Sequence, residues 1–129
     1  GYQEVRKRAR RVAVLGVGQS VPLATLIAEE YPVDALVAVG AFSGRGPGGA
    51  RRAPTRIRRI AKNNLFSIVC PVLNILPGDV NPRAAAVFGT HTRARDVRML
   101  EMRGAEMAKL FPARENELAD AIFEFLDEC

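Results

Sequence analysis

The sequence has few of the residues that build disulfide frameworks or metal sites. Its 129 residues include no tryptophan, one histidine, two cysteines and only 6% aromatic residues. Cys70 lies in an apolar run and Cys129 is the last residue, so we expect no disulfide framework. Because His91 is the only histidine and no C-x-x-C pair occurs, we also expect no metal site and no bound cofactor.

Long apolar runs are missing as well. No run reaches the roughly 18 to 20 residues that a membrane span needs. The basic N-terminal stretch is not followed by the apolar segment of a signal peptide. We therefore expect a cytoplasmic protein without a membrane span. With 48% hydrophobic and 26% charged residues, the sequence predicts one globular domain over residues 1–129.

The net charge of +5 is unevenly distributed along the chain. Five cations lie between Arg6 and Arg11, and seven more lie between Arg45 and Lys62, whereas eight of the 14 acids follow from Glu101 onward. These basic segments are either solvated surface or an anion-binding face, and the sequence leaves both interpretations open.

The first half of the chain contains a strand–helix–strand pattern. Residues 12–17 and 35–39 are continuous apolar runs, which are typical of strands buried on both faces of a parallel sheet. Residues 21–30 between them have helical periodicity, and Pro22 is tolerated only in a first helical turn. The pattern predicts a right-handed βαβ unit.

The remaining segments complete an α/β fold of about four parallel strands with flanking helices. The predicted elements are a helical segment at 2–11, a loop at 43–55, a short basic helix at 56–64, a strand at 69–76, a helix at 81–88, an edge strand at 97–102 and a helix at 115–128. The apolar stripe of the last helix is predicted to comprise Leu118, Ala119, Ile122, Phe123 and Leu126.

A short motif lies between the first strand and its helix. Gly18-Gln19-Ser20-Val21-Pro22 has the sequence context of a nucleophile elbow, G-x-S-x-G, with Pro22 in place of the last glycine. In such a turn the serine oxygen is lifted above the sheet, and the helix N-terminus offers N–H groups to an oxyanion. The motif predicts Ser20 as nucleophile and the N–H of Val21 as oxyanion donor.

The order of the segments resembles the C-terminal half of carboxylesterases and monoacylglycerol lipases of the α/β-hydrolase superfamily. The matching segments are 14–42 (fifth strand, elbow helix and sixth strand), 68–76 (seventh strand), 97–102 (last strand) and 117–126 (closing helix). Residues 43–64 fall where that family inserts its cap. The resemblance implies a serine ester hydrolase acting on a carboxylic ester or small acyl group.

The sequence departs from the family at two catalytic positions. Asn81 stands where the resemblance puts the triad acid, with Asp79 two residues before it, and Glu106 stands where it puts the histidine. An asparagine carries no charge to steady a protonated histidine, and a carboxylate is a weak base toward a hydroxyl. His91 precedes the last strand and is expected at the surface. We therefore expect a catalytically impaired hydrolase, a pseudoenzyme.

The resemblance does not extend to the family's first four strands. The strand at 12–17 would then be an apolar edge with unpaired backbone groups. The second oxyanion donor of the family, which comes from the missing half, would also be absent. These features predict either a dimer formed through this edge or pairing with a separate N-terminal chain.

Two alternative functions remain open. Gly16-x-Gly18 after a strand, with Asp34 downstream, resembles a nucleotide-binding turn, although Val21 replaces the third glycine. The arginine-rich segments could instead serve a non-enzymatic interaction or anion-binding protein. Nucleic acid is not the expected partner, since only Phe66 lies near these segments to stack on bases.

Overall fold

The computed structural model describes residues 1–40, 64–79, 91–111 and 113–129. The predicted loop at 43–55, the helix at 81–88 and the helix at 56–64, except its last residue, lie outside these described residues. The described helices are α1 (Tyr2–Arg8), α2 (Val21–Glu30) and α3 (Glu115–Glu128). The strands are β1 (Ala13–Val17), β2 (Ala35–Val39), β3 (Val72–Pro77) and β4 (Val97–Met102).

The four strands form one parallel sheet in the order β1-β2-β3-β4. This confirms the predicted fold class, a partial α/β-hydrolase fold of four parallel strands with flanking helices. β2 is buried along its whole length, as its continuous apolar sequence predicted, and β3 is buried as well. The same prediction is wrong for β1, in which only Gly16 is buried, because β1 lies at an edge of the described sheet. β4 lies at one edge of the sheet and β1 at the other.

Two apolar layers cover the faces of the sheet. α2 packs on one face, where Val21, Ala24 and Ala28 contact Leu36 and other buried residues. The layer on the opposite face includes α3, with Leu118 and Phe125 buried against the sheet. The strongly apolar central strands are thereby removed from water, which is the main favourable term for this fold.

The main differences between the observed and the predicted elements lie in β3, α1 and α3. β3 begins at Val72 rather than residue 69, because Pro71 has no N–H for the ladder and Val69 is exposed. α1 ends at Arg8, and Ala9 is already extended toward β1. In α3 the structure buries Phe125 and leaves Phe123 exposed, since Phe123 projects beside β1 rather than over the sheet.

None of the helices in the described ranges is long and apolar enough to cross a membrane.

Glu29 is a half-buried carboxyl group in the last turn of α2. Its Oε1 atom is buried and has no hydrogen-bond partner in the described part of the chain. Loss of water around the carboxylate, with a smaller repulsion from Glu30, raises the pKa of Glu29 to about 7. In the unfolded chain this carboxyl ionises near its ordinary value, so the free energy of unfolding falls as pH rises from that value to about 7 and stays lowered above pH 7.

Glu29→Gln removes this loss of stability. We expect the free energy of unfolding of the variant at pH 7.5 to exceed that of the parent by on the order of 1 kcal/mol. Water around the partly exposed Glu29 carboxylate screens the effect, so it is smaller than the full pKa shift would give. Near pH 4 the Glu29 carboxyl of the parent is mostly protonated in both the folded and the unfolded chain, so the difference should shrink toward zero. Urea unfolding at both pH values checks this, with Glu124→Gln at an exposed position of α3 as control. An equal difference at both values would contradict the account.

Candidate active site

The predicted site residues lie at the carboxyl edge of the sheet. β1 ends at Val17, β3 at Pro77 and β4 at Met102, and all these strands are parallel. The segments that follow them, with Ser20, Asp79 and Glu106, therefore start from the same edge. Asn81, the residue at the predicted acid position, lies outside the described residues.

A close contact between β1 and α2 shapes the turn that carries Ser20. A Cβ atom on Gly16 would lie 2.7 Å from the Cα atom of Val21 and 2.9 Å from the Cβ atom of Ala24. Since real Cβ atoms do not approach other atoms so closely, only glycine fits at this point of the strand. The missing side chain lets the helix turn back directly over its own strand.

The sharp turn is a single 3₁₀ turn, Gly18–Ser20. Gly18 has a φ of 60°, which lies in the left-handed region that glycine adopts without strain. Ser20 has φ −87° and ψ −7°, an ordinary right-handed conformation, and immediately precedes α2. The left-handed residue of this strand-to-helix turn is thus Gly18, two residues before the predicted nucleophile.

The hydroxyl group of Ser20 is engaged by the end of β1. Its Oγ atom accepts a hydrogen bond from the N–H of Val17 at 2.8 Å and donates one to the carbonyl of Val17 at 2.9 Å. The N–H of Val21, the predicted oxyanion donor, is directed to the carbonyl oxygen of Gly18. Both groups therefore already have backbone partners within the turn.

Asp79 and Glu106 belong to two loops that are joined to each other. Asp79 accepts a hydrogen bond from the N–H of Met107 at 2.9 Å, and the N–H of Gly78 donates to the carbonyl of Ala105 at 2.8 Å. The structure thus brings Asp79 next to the residue that follows Glu106. The carboxylate of Asp79 fastens one loop to the other, which the sequence did not predict.

Glu106 itself faces solvent and forms an ion pair with Lys109 at 3.5 Å. Among the described contacts, no hydrogen bond or ion pair joins Ser20 to Asp79 or Glu106. His91 is exposed, as expected. No group of three or more potential metal ligands occurs in the part of the chain that the structure describes.

The nucleotide-binding alternative is not favoured by this geometry. The space next to Gly16 is filled by α2, so this glycine serves helix–strand packing rather than the approach of a phosphate. Asp34 precedes β2 and therefore lies at the opposite edge of the sheet from Gly18. The carboxylate of Asp34 accepts a hydrogen bond from the N–H of Val12 at 2.7 Å and pairs with Arg6. The hydrogen bond from Val12, helped by Arg6, holds the pKa of Asp34 below its ordinary value.

Solved α/β hydrolases have the same arrangement of elements. The chain superposes with a TM-score of 0.79 on a structure from work on LipS and LipT, two metagenome-derived lipolytic enzymes, at 12% identity over 98% of this chain and 69% of that chain. The monoacylglycerol lipase of Paleococcus ferrophilus superposes with a TM-score of 0.70 and 17% sequence identity, over 97% of this chain and 71% of that chain. MGS-MChE2, an α/β hydrolase from a lagoon-sediment metagenome, superposes with a TM-score of 0.64 and 18% sequence identity, over 98% of this chain and 68% of that chain.

These structures establish the class of fold, a partial α/β-hydrolase fold. No protein-family model matches the sequence, and no curated protein matches it as a relative. The identities are too low for the structural likeness to carry an activity from those enzymes to this chain.

Gly18 is the residue of this site that the sequence motif did not predict, since that motif was centred on Ser20. The sequence contains two overlapping five-residue frames of the motif, one centred on Ser20 and one that begins at Gly16 and is centred on Gly18. The second frame puts its central residue directly after the strand, where the elbow of this fold carries its strained residue. The position of Gly18 directly after the apolar run, with Gly16 two residues before it, was the sequence feature that could have predicted this turn.

Gly16→Ala tests the close approach of α2 to β1. The added Cβ atom would collide with backbone and side-chain atoms of the helix, so we expect a loss of about 2 to 3 kcal/mol in the free energy of unfolding. Gly104→Asn is the control, because Gly104 (φ 75°) has open space around it and asparagine tolerates left-handed backbone, so a change under about 0.5 kcal/mol is expected. Equal urea midpoints for both variants would refute the packing account.

Proposed function

We propose that this chain is an α/β-hydrolase-like protein, related to carboxylic ester hydrolases, that does not hydrolyse esters by itself. The observation that carries the proposal is the conformation of the turn after β1. Its left-handed residue is Gly18, which has no nucleophilic atom, and the hydroxyl of Ser20 is hydrogen-bonded to Val17. A hydroxyl that donates to a carbonyl has no base to take its proton.

The carboxylates at the same edge support this proposal. Asp79 accepts a backbone N–H, and Glu106 pairs with Lys109 in solvent. Neither contacts the hydroxyl of Ser20 among the described residues, and a solvated, lysine-paired carboxylate is a weak base toward an alcohol. The N–H of Val21 is likewise bound to the carbonyl of Gly18 rather than directed to an open oxyanion site.

The ligand that we propose for this edge is a carboxylic ester or small acyl group, because similar folds occur in lipolytic enzymes. We further propose that residues 1–129 form one domain located in the cytoplasm, and that Ser20 is the nucleophile of any residual reaction. The alternative of anion binding concerns both arginine-rich segments, of which residues 45–62 lie outside the described ranges. In the segment at 6–11, Arg6 pairs with Asp34 and Arg11 binds the carbonyl of Cys129, and no contact among the described residues favours that alternative.

Intact-mass analysis after treatment with a fluorophosphonate probe tests the proposal. We expect no adduct on the folded parent chain, while an active serine hydrolase in the same tube is labelled completely. Ser20→Ala and Ser67→Ala serve as paired variants, since Ser67 lies in a separate 3₁₀ turn. A single adduct that persists in Ser67→Ala and disappears in Ser20→Ala would show that Ser20 is activated and would overturn the proposal.

A further inference from the structure

A cavity of about 510 Å³ lies at the amino edge of the sheet, opposite the edge that carries the candidate active site. Its described walls include Val69 and Pro71, which precede β3, and Arg93, Arg95 and Asp96, which precede β4. Two cations and two apolar side chains therefore share one cavity, and its volume is in the range of small-molecule sites.

The backbone on the two sides of this cavity is fixed by hydrogen bonds. The N–H of Arg93 donates to the carbonyl of Ile68 at 3.0 Å, and the N–H of Val72 donates to the carbonyl of Asp96 at 2.9 Å. The Nε atom of Arg93 donates to the carbonyl of Phe66 at 2.8 Å. Because the segment before β4 is bound in this way to the segment before β3, the cavity between them is preformed.

The two guanidinium groups of the cavity have no acidic partner within the described ranges. Arg93 uses its Nε atom for the carbonyl of Phe66, and Arg95 is exposed and forms no hydrogen bond or ion pair there. Asp96 is bound to Arg98, whose Nε and Nη2 atoms lie 3.3 and 3.2 Å from its two carboxylate oxygens. Both Nη groups of Arg93 and the whole guanidinium group of Arg95 are therefore available to an anion.

We propose that this cavity binds a small phosphate monoester with an apolar organic part. Two guanidinium groups match the double charge and the several oxygens of a phosphate dianion, whereas a carboxylate has one charge and two oxygens. Val69 is 62% exposed and, with Pro71, offers an apolar wall to the organic part. Inorganic phosphate leaves this wall unused, and an uncharged ligand leaves both arginines without a counterion.

The inference goes beyond the proposed function, because it concerns the other edge of the sheet. Ser20, Asp79 and Glu106 follow the carboxyl ends of their strands, and the cavity also lies outside the arginine-rich segments at 6–11 and 45–62. A chain that reacts with fluorophosphonate could still bind a phosphate ester here, and an inert chain could fail to bind one. The two proposals therefore fail independently.

Titration of the full chain with phenyl phosphate at pH 7.5, followed by amide chemical shifts in NMR spectra, tests the site. We expect saturable shifts at Arg93, Arg95 and Asp96, with a dissociation constant of about 1 mM or below, and no shift at Met107 at the carboxyl edge. Inorganic phosphate should bind at least about threefold more weakly, since it gains nothing from Val69. Phenol, which carries no charge, should cause no saturable shift.

Three variants test the residues of the cavity. Arg95→Gln removes one of the two charges and should raise the dissociation constant of phenyl phosphate at least about fivefold. Val69→Glu puts a negative charge in the apolar wall and should abolish saturable binding while both arginines remain. Arg103→Gln is the matched control for net charge, because the Arg103 side chain is 91% exposed at the carboxyl edge and pairs with Glu101; it should change the dissociation constant less than about twofold.

Three outcomes would overturn the proposal. The first is the absence of saturable shifts with phenyl phosphate. The second is an equal loss of affinity in Arg95→Gln and Arg103→Gln, which would mean that the anion responds only to the net charge of the chain. The third is binding of phenol as tight as that of phenyl phosphate, which would make the cavity a site for apolar ligands.

Discussion

The close contact between Gly16 and α2 is the constraint on which the rest of this site depends. Val21 and Ala24 occupy the space that a side chain at this position would need. Only the three residues of one 3₁₀ turn therefore separate the end of the strand from the start of the helix. A turn that short needs a left-handed residue, and Gly18 supplies it. It also places Ser20 where its hydroxyl can bind both backbone groups of Val17.

The fold of this protein and the chemistry of its sheet edge are separate features. A parallel sheet gathers the ends of its strands at one edge, and in this fold that edge is where reactive groups can meet. Here the polar groups at the edge stabilise the loops instead. Ser20 closes the end of β1, and Asp79 ties its own loop to Met107. Ser20 and Asp79 are thus held by backbone partners, and this is the observation behind the proposal that the chain does not hydrolyse esters by itself.

Much of the architecture was predictable because it follows from local patterns. The predicted bounds of α2, β2 and α3 agree with the structure, since Pro22, a five-residue apolar run and a long periodic stripe each define their own limits. The central position of Phe125 in α3 was missed because the stripe alone does not reveal where the sheet ends. β3 was predicted to start too early, since an apolar run continues through Pro71 into Val69.

The site was less predictable than the fold for a physical reason. Which of two overlapping motif frames forms the turn depends on where the strand stops and how closely the helix packs on it, and a five-residue motif specifies neither. The bond between Asp79 and Met107 joins residues that are far apart in sequence, so no local pattern predicts it. The spacing of the motif therefore located the strand-to-helix turn that contains Ser20, but it did not determine the conformation of Ser20 or its hydrogen-bond partners.

Amide hydrogen exchange at Val17 tests the central claim most directly, namely that the hydroxyl of Ser20 is committed to the backbone. The comparison is between the parent chain and Ser20→Ala. Because the hydroxyl is the partner of the Val17 N–H, its removal should speed exchange at that amide at least about threefold, with little change at buried Val37. Unchanged exchange at Val17 would mean that the hydroxyl is free, which would contradict the account.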